Sequence, residues 1–371
     1  MKSASDGFTG QNASEAIPRP RVAVVLVNWN GWRDCVECLD TLLAIAYPAF
    51  DVFLVDNDSS DRSVENIVAW CKCPVRDAQW RDFPGVKRIS AHGTPVAHRV
   101  LDAGAAAKAG AVDRSPFGQP EQGPCLTIVR SGGNLGFAGG NNVGMRCAGL
   151  ADFGFYWLLN TDTVVDAQAL CRLVDRASQS PAAGIVGSTL CYYGEPSFIQ
   201  AMGGASLDRS RFVTQHIGVH RPIAELPSDP REVESRMAYV VGASMLVRRE
   251  FVETVGYMQE DYFLYYEEID WALRGADRYT LGYAPQSIVF HKVGASSAKV
   301  APLFSLRLMY RNRLKVVARF LPERTWAAMR RMAMEAAILF VKGNYRHTRA
   351  ILEALYNSRA LLREGREGGA S

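Results

Sequence analysis

The chain of 371 residues contains no run of about 18 or more uncharged apolar residues, which excludes an ordinary membrane-crossing helix. The stretch up to Pro20 has no apolar core of the kind a secretion signal requires and reads as a disordered leader. The eight cysteines are spread over apparent helices and strands without the spacing of a disulfide framework, as expected of reduced thiols in a cytoplasmic protein. Cys35 and Cys38 form one CxxC, with Cys71 and Cys73 downstream. No second CxxC completes a zinc site, and the first lies within a helical pattern. Net charge is also small, at +4. This near-balance hides an asymmetry: from Pro302 onward fourteen Lys and Arg face five acids, giving that segment +9 and residues 1 to 301 a charge of −5.

What is present is a globular composition, 48% hydrophobic, with length for about two folding units. "VAVVLVN", 22 to 28, is a short apolar run stopped by Asn28-Trp29-Asn30-Gly31, a buried strand followed by a turn. Apolar positions from Cys35 to Ile45 recur at helical spacing, Pro48 ends them, and a second strand over 51 to 55 closes a strand-helix-strand unit. Residues 71 to 124 dissolve into Pro, Gly, Ala and Arg and read as a mobile insertion in a domain spanning 21 to 301. Further strands follow at 125 to 130, in "FGFYWLLNTDT" and in "GIVGSTL", interleaved with helices. The segment 302 to 371 reads as basic amphipathic helices. The expected fold class is α/β, a mostly parallel central sheet flanked by helices, with a C-terminal helical extension.

Three strands end in polar clusters, at Asn28 to Gly31, Asp56 to Asp61 and Asn160 to Thr163, and the carboxyl ends of parallel strands line one crevice. A crevice holding Asp56 and Asp162 repels an anion unless a divalent cation stands between them. Mg²⁺ or Mn²⁺ held by carboxylates and substrate phosphates meets that need. The other reading of Asp162 is a cap on the helix that follows. "SGGNLGFAGGNNVG", 131 to 144, follows a strand and opens a helix, so its backbone is suited to close approach of a ligand, yet it has no P-loop lysine. Glu267, Glu268 and Asp270 crowd the first turn of a helix. Their mutual repulsion raises the pKa of the least solvated and suits it to accept a proton. His291 ends another apolar run and is either a metal ligand or a core residue.

"VVLVNWNG", "VDNDSSD", "NLGFAGGNNVG", "LLNTDT", "GASMLVRR", "YFLYYEEIDWALR" and "FHKVGASS", in this order, resemble the family 2 glycosyltransferases of GT-A (Rossmann-like) fold, and within them the rhamnosyltransferase-like branch. The resemblance covers about residues 21 to 315 apart from the insertion. It implies inverting transfer from a nucleotide-diphosphate sugar, dTDP-rhamnose in that branch, to a glycan or lipid-linked acceptor in envelope polysaccharide synthesis. By the same resemblance Asn28, Asn30, Asp56, Asn57, Asn134, Gly136, Asn142 and Asn160 hold the nucleotide sugar. Asp162 and His291 hold the divalent metal, with Asn160-Thr161-Asp162 in the place of the family's DxD. Glu268 stands where the family carries the Asp of its base motif, with Glu267 and Asp270 as the alternatives. No QxxRW is present, unlike the processive synthases.

Rival readings are a sugar-phosphate nucleotidyltransferase, which needs a basic loop after the first strand where "NWNG" supplies none before Arg33, and a catalytically silent scaffold that keeps the fold. The basic tail suits either peripheral contact with the inner face of the cell membrane or a dimerising or core-covering helical hairpin. Interleaving of its basic residues with apolar stripes argues against nucleic acid.

Overall fold

In the computed structural model, which describes residues 19–104, 124–149, 153–208, 213–292 and 302–358, the first strand divides its side chains between two cores. Val22, Val24 and Leu26 of β1 (Val22–Asn28) join one apolar cluster, while Ala23 and Val25 join a second on the opposite face. Burial on both faces is why the segment is continuously apolar, as strands of a helix-covered parallel sheet are. Helices Trp32–Leu42, Ser63–Lys72 and Ala169–Gln179 cover the first face. Helices Gly136–Ala148, Arg249–Val255 and Glu267–Gly275 cover the second.

β1 pairs in parallel with β2 (Phe50–Asp56), and β3 (His98–Asp102) and β4 (Leu126–Arg130) extend that side, also in parallel. On its other side β1 pairs with β5 (Phe155–Asn160). The remaining members are β6 (Thr163–Val165), β7 (Ala183–Tyr192), β8 (Ile199–Met202), β12 (Ser244–Arg248) and β13 (Thr280–His291), in the order β3-β4-β2-β1-β5-β12-β7-β13-β6 with β8 beside β7. β12 runs against β5 and β7, and β6 runs against β13, while β13 is parallel to β7. A small second sheet joins β9 (Gly204–Asp208), β10 (Val213–His216) and β11 (Tyr239–Val240). The mostly parallel sheet flanked by helices is the architecture expected from the sequence.

The region read as a mobile insertion is in part built into this framework. β3 extends the sheet, and Arg88 lies buried against Glu37 and Asp40 of the first helix, each 3.2 Å away. Residues 105–123, like the leader up to 18, lie outside the described residues. Cys35 and Cys38 are buried core thiols, with burial pushing Cys38 up to about 12, and the eight cysteines are free. The C-terminal region forms helices Pro302–Phe320, Thr325–Val341 and Tyr345–Tyr356, packed around Leu314, Met332 and Ile351. No helix among the described residues is long and apolar enough to cross a membrane.

Candidate active site

Parallel pairing brings strand ends together. The register sets Asn28 opposite Asp56, Asp56 opposite Arg130 and Val27 opposite Asn160, so the polar residues after β1, β2, β4 and β5 share one edge of the sheet. β13 ends at the same edge, and its antiparallel pairing with β6 sets His291 opposite Thr163, which brings the histidine beside Asp162. A cavity of about 690 Å³ opens there, and Asn57, Asn134, Gly136, Asn160, Asp162, Glu267, Glu268 and His291 all line it.

Asp162 is nearly fully buried in the turn between β5 and β6. The helix that follows starts only at Ala169, and the carboxylate that accepts a backbone N–H at its entry, from Gln168 at 2.7 Å, belongs to Asp166. Asp162 is therefore not a helix cap. Its Oδ1 lies 3.2 Å from Nε2 of His291, whose Nδ1 lies 2.9 Å from Oε1 of Gln200. With the ring neutral and Nδ1–H donated to Gln200, the lone pair of Nε2 would face the carboxylate, the arrangement a cation between the two requires. Neighbouring ligands of an octahedral cation with bonds of about 2.1 Å stand about 3 Å apart, so this pair fits one edge of such a shell. Among the described residues no group of three or more His, Cys, Asp or Glu gathers there.

Across the cavity, Glu267 and Glu268 begin their helix. Burial pushes Glu268 up to about 7, and burial together with the charge of Glu268 holds Glu267 well above the usual carboxylate range. Among the described residues, Oε2 of Glu267 is buried with no hydrogen-bond partner. The backbone of Gly242 donates to Glu268, and a Cβ at 242 would stand 2.5 Å from the Glu268 Oε1. Only a glycine there leaves room for the carboxylate. Asp270 faces elsewhere: it receives Tyr262 Oη at 3.0 Å, Arg274 Nε at 2.7 Å and Arg319 at 2.8 Å, which commits it to a buried ion network outside the cavity.

The chain entering this helix is held in an unfavourable conformation. Phe263, Tyr265 and Tyr266 have φ of +62°, +70° and +73°, values that bulky side chains rarely adopt. Such strain persists only where surrounding contacts hold it, and here it aims two carboxylates into the cavity.

The remaining sequence-derived positions divide. Asn57 stitches β2 to the glycine-rich turn, donating to Asn134 Oδ1 at 3.1 Å and the Gly136 carbonyl at 3.0 Å and accepting from the Leu135 N–H at 3.0 Å. Asp56 accepts from the Asn28 amide and the Ser59 N–H, and it opens onto a neighbouring depression of about 430 Å³ lined also by Asp58, Asp102 and Arg130. It thus shares an edge with Asp162 but not a cavity. Asn28 is fully buried, and Asn30, at φ +50°, accepts the Ser60 N–H at 2.7 Å; both shape the turn and neither lines the main cavity. Asn142 is occupied elsewhere, since its amide donates to the Met258 carbonyl at 2.8 Å and its Oδ1 accepts the Met258 N–H at 3.1 Å. Most helical glycines of this segment serve packing: a Cβ at Gly140 or Gly144 would stand 2.7 Å or 2.4 Å from a methyl group of Val27 or Val25. Trp29, Gln200, Gly242 and Phe304 line the cavity without having been singled out from the sequence.

Residues 115–256 match the family model described as Glycosyl transferase family 2. The low-salt glycan biosynthesis hexosyltransferase Agl10 of Haloferax volcanii is 24% identical over 193 residues, 51% of this chain and 59% of that relative, so the match spans well under two thirds of the relative's length. Among solved structures, GalNAc-T7 with UDP, GalNAc and Mn²⁺ superposes with a TM-score of 0.52 at 14% identity, over 81% of this chain and 48% of that one. The mannosyltransferase PcManGT of Pyrobaculum calidifontis, with GDP-Man and Mn²⁺, gives 0.48 at 15% identity over 92% and 87%. The fold is that of the GT-A glycosyltransferases, and the match to the family 2 model covers less than half of the chain.

Proposed function

We propose that the chain is an inverting glycosyltransferase that moves a sugar from a nucleotide diphosphate to an acceptor hydroxyl in the synthesis of a surface glycan or glycolipid. The observation that carries this reading is the placing of Asp162 and Glu268 in one cavity, with His291 beside the first and the Gly242 N–H on the second. A divalent cation, Mg²⁺ or Mn²⁺, at Asp162 and His291 would offset the charge that develops on the departing diphosphate. Glu268, with its pKa near neutrality, is suited to take the proton of the attacking hydroxyl at its Oε atoms. Glu267, held neutral beside it by burial, keeps a second negative charge away from that carboxylate. A single displacement with no sugar attached to the protein inverts the anomeric centre.

Asn57, Asn134, Gly136 and Asn160 line the same cavity and are assigned to the nucleotide sugar. Resemblance to the rhamnosyltransferase-like branch makes dTDP-rhamnose the first donor to test, followed by UDP and GDP sugars. Purified Asp162→Ala and Glu268→Gln chains should each lose sugar transfer while melting cooperatively. Full transfer by either folded variant would overturn the proposal.

A further inference from the structure

The helix Thr325–Val341 turns one face to the protein and leaves an apolar one uncovered. Ala328, Met332 and Ala336 are buried. Trp326, Met334, Ile338, Phe340 and Val341 are exposed, Trp326 to 74% and Val341 to 85%. At 3.6 residues per turn these five fall within an arc of about 160°, opposite the buried three. The ring of Tyr345, 5.5 Å from that of Phe340, continues the face onto the next helix. Exposed side chains of this size in a contiguous band mark an interaction surface.

The charges around the band select the partner. Arg330 lies within the arc, and Arg331, Lys342 and Arg346 lie exposed along its margin and on the next helix. Arg330, Lys342 and Arg346 have no ion-pair partner among the described residues. The one acid of the Thr325–Val341 helix, Glu335, is paired inward with Arg313 at 2.9 Å. A self-complementary contact between two copies of this face would set like charges against each other. An anionic lipid surface meets both halves of the pattern. Its headgroups face the basic residues, while Trp and Tyr rings, amphipathic at their polar tips, sit at the boundary with the acyl chains.

We propose that the exposed face of the Thr325–Val341 helix docks the protein on an anionic phospholipid bilayer, with Trp326, Ile338 and Val341 inserted and Arg330, Lys342 and Arg346 on the headgroups. This stands apart from the catalytic reading. The two connect through Phe304 of the adjoining helix Pro302–Phe320, which lines the cavity and packs edge-on against Phe263 at 5.8 Å, so the helix against which the docking face is packed also walls the cavity.

Vesicle flotation of the full chain tests the proposal directly. Vesicles of phosphatidylcholine with one third phosphatidylglycerol should recover at least tenfold more protein than phosphatidylcholine alone, and raised salt should remove the difference. The doubly substituted Trp326→Glu, Val341→Glu chain should lose at least tenfold in recovery without a change in melting temperature, because neither side chain is in the core. Equal recovery of variant and wild type, or equal recovery by neutral and anionic vesicles, overturns the proposal. So does light scattering that finds a wild-type dimer and a monomeric variant, since a second copy would then cover the face.

Discussion

Asn312, on the first C-terminal helix, donates its side-chain amide to the carbonyl oxygen of Tyr265 at 2.9 Å, immediately before the helix that carries Glu267 and Glu268. The same amide reaches the carbonyls of Tyr262 and Leu264 at 2.8 Å and 2.9 Å. Lys315 adds an ion pair to Asp261, and Arg319 one to Asp270. The strained segment 262 to 266 is therefore braced by a helix more than forty residues further along the chain.

Asn312→Ala removes a buried donor from three carbonyls and should cost about 1–3 kcal/mol of stability. Asn312→Asp should cost more, since an ionised carboxylate would face those carbonyls with no hydrogen to offer. Both should lower kcat by relaxing the segment that orients Glu268. Thermal melts and steady-state transfer rates check this, and a rate unchanged in Asn312→Ala would mean that the brace serves stability alone.

Gly242→Ala tests the position of the carboxylate more sharply. The added methyl would stand 2.5 Å from Glu268 Oε1 and 3.1 Å from the Phe137 ring, so the carboxylate must move while the backbone need not. Loss of a well-placed proton acceptor should lower kcat by about 10² to 10⁴. Nucleotide-sugar affinity, read by calorimetry, should change much less. A variant of wild-type rate would remove Glu268 from the role of base.

The buried pair of glutamates ties both rate and stability to pH. Transfer should rise with pH through about 7, as Glu268 loses its proton, and Glu268→Gln should abolish the limb together with the activity. Stability should move in the opposite direction. The folded-state pKa of Glu267 is raised, so the unfolded chain releases this proton first; its contribution is fully present below the ordinary carboxylate pKa and is lost as pH rises toward the folded value. Glu267→Gln should therefore melt higher than wild type at pH 8, with the gap closing toward pH 4. A constant offset across that range would contradict the assignment.

How much of this was legible in the sequence follows from how local each signal is. β1, β2 and β5 announce themselves because burial on both faces makes them continuous apolar runs, and their polar ends mark the crevice edge. Asp162 and His291 drew notice because each closely follows or ends an apolar run, and Glu268 because three acids crowd one helical turn; all three line the same cavity. Choosing among Glu267, Glu268 and Asp270 was beyond the sequence, since the deciding partners, Gly242, Tyr262, Arg274 and Arg319, come from other elements or lie outside the acidic turn. Glycines 140 and 144 misled in a similar way: their spacing of four places them on one helix face, against valines of β1, so they report close packing where ligand approach was expected.

Arg88 is the plainest case of a role invisible to local pattern. It lies in a stretch with no sustained period, yet its guanidinium is buried between Glu37 and Asp40, and its backbone-accepting partner Arg81 donates in turn to the Gly194 carbonyl at 2.9 Å. Glu37 also binds the Tyr193 hydroxyl and Lys292, next to His291, so the insertion, the first helix and the strand end that carries His291 meet at one carboxylate. Arg88→Ala would leave two carboxylates buried beside an unfilled space, a change of about 3–5 kcal/mol. Arg88→Met, which fills the volume but not the charge, should recover little of that loss. If Arg88→Ala instead melts within a degree of wild type, residues 73 to 97 are a dispensable covering and the sheet edge stands without them.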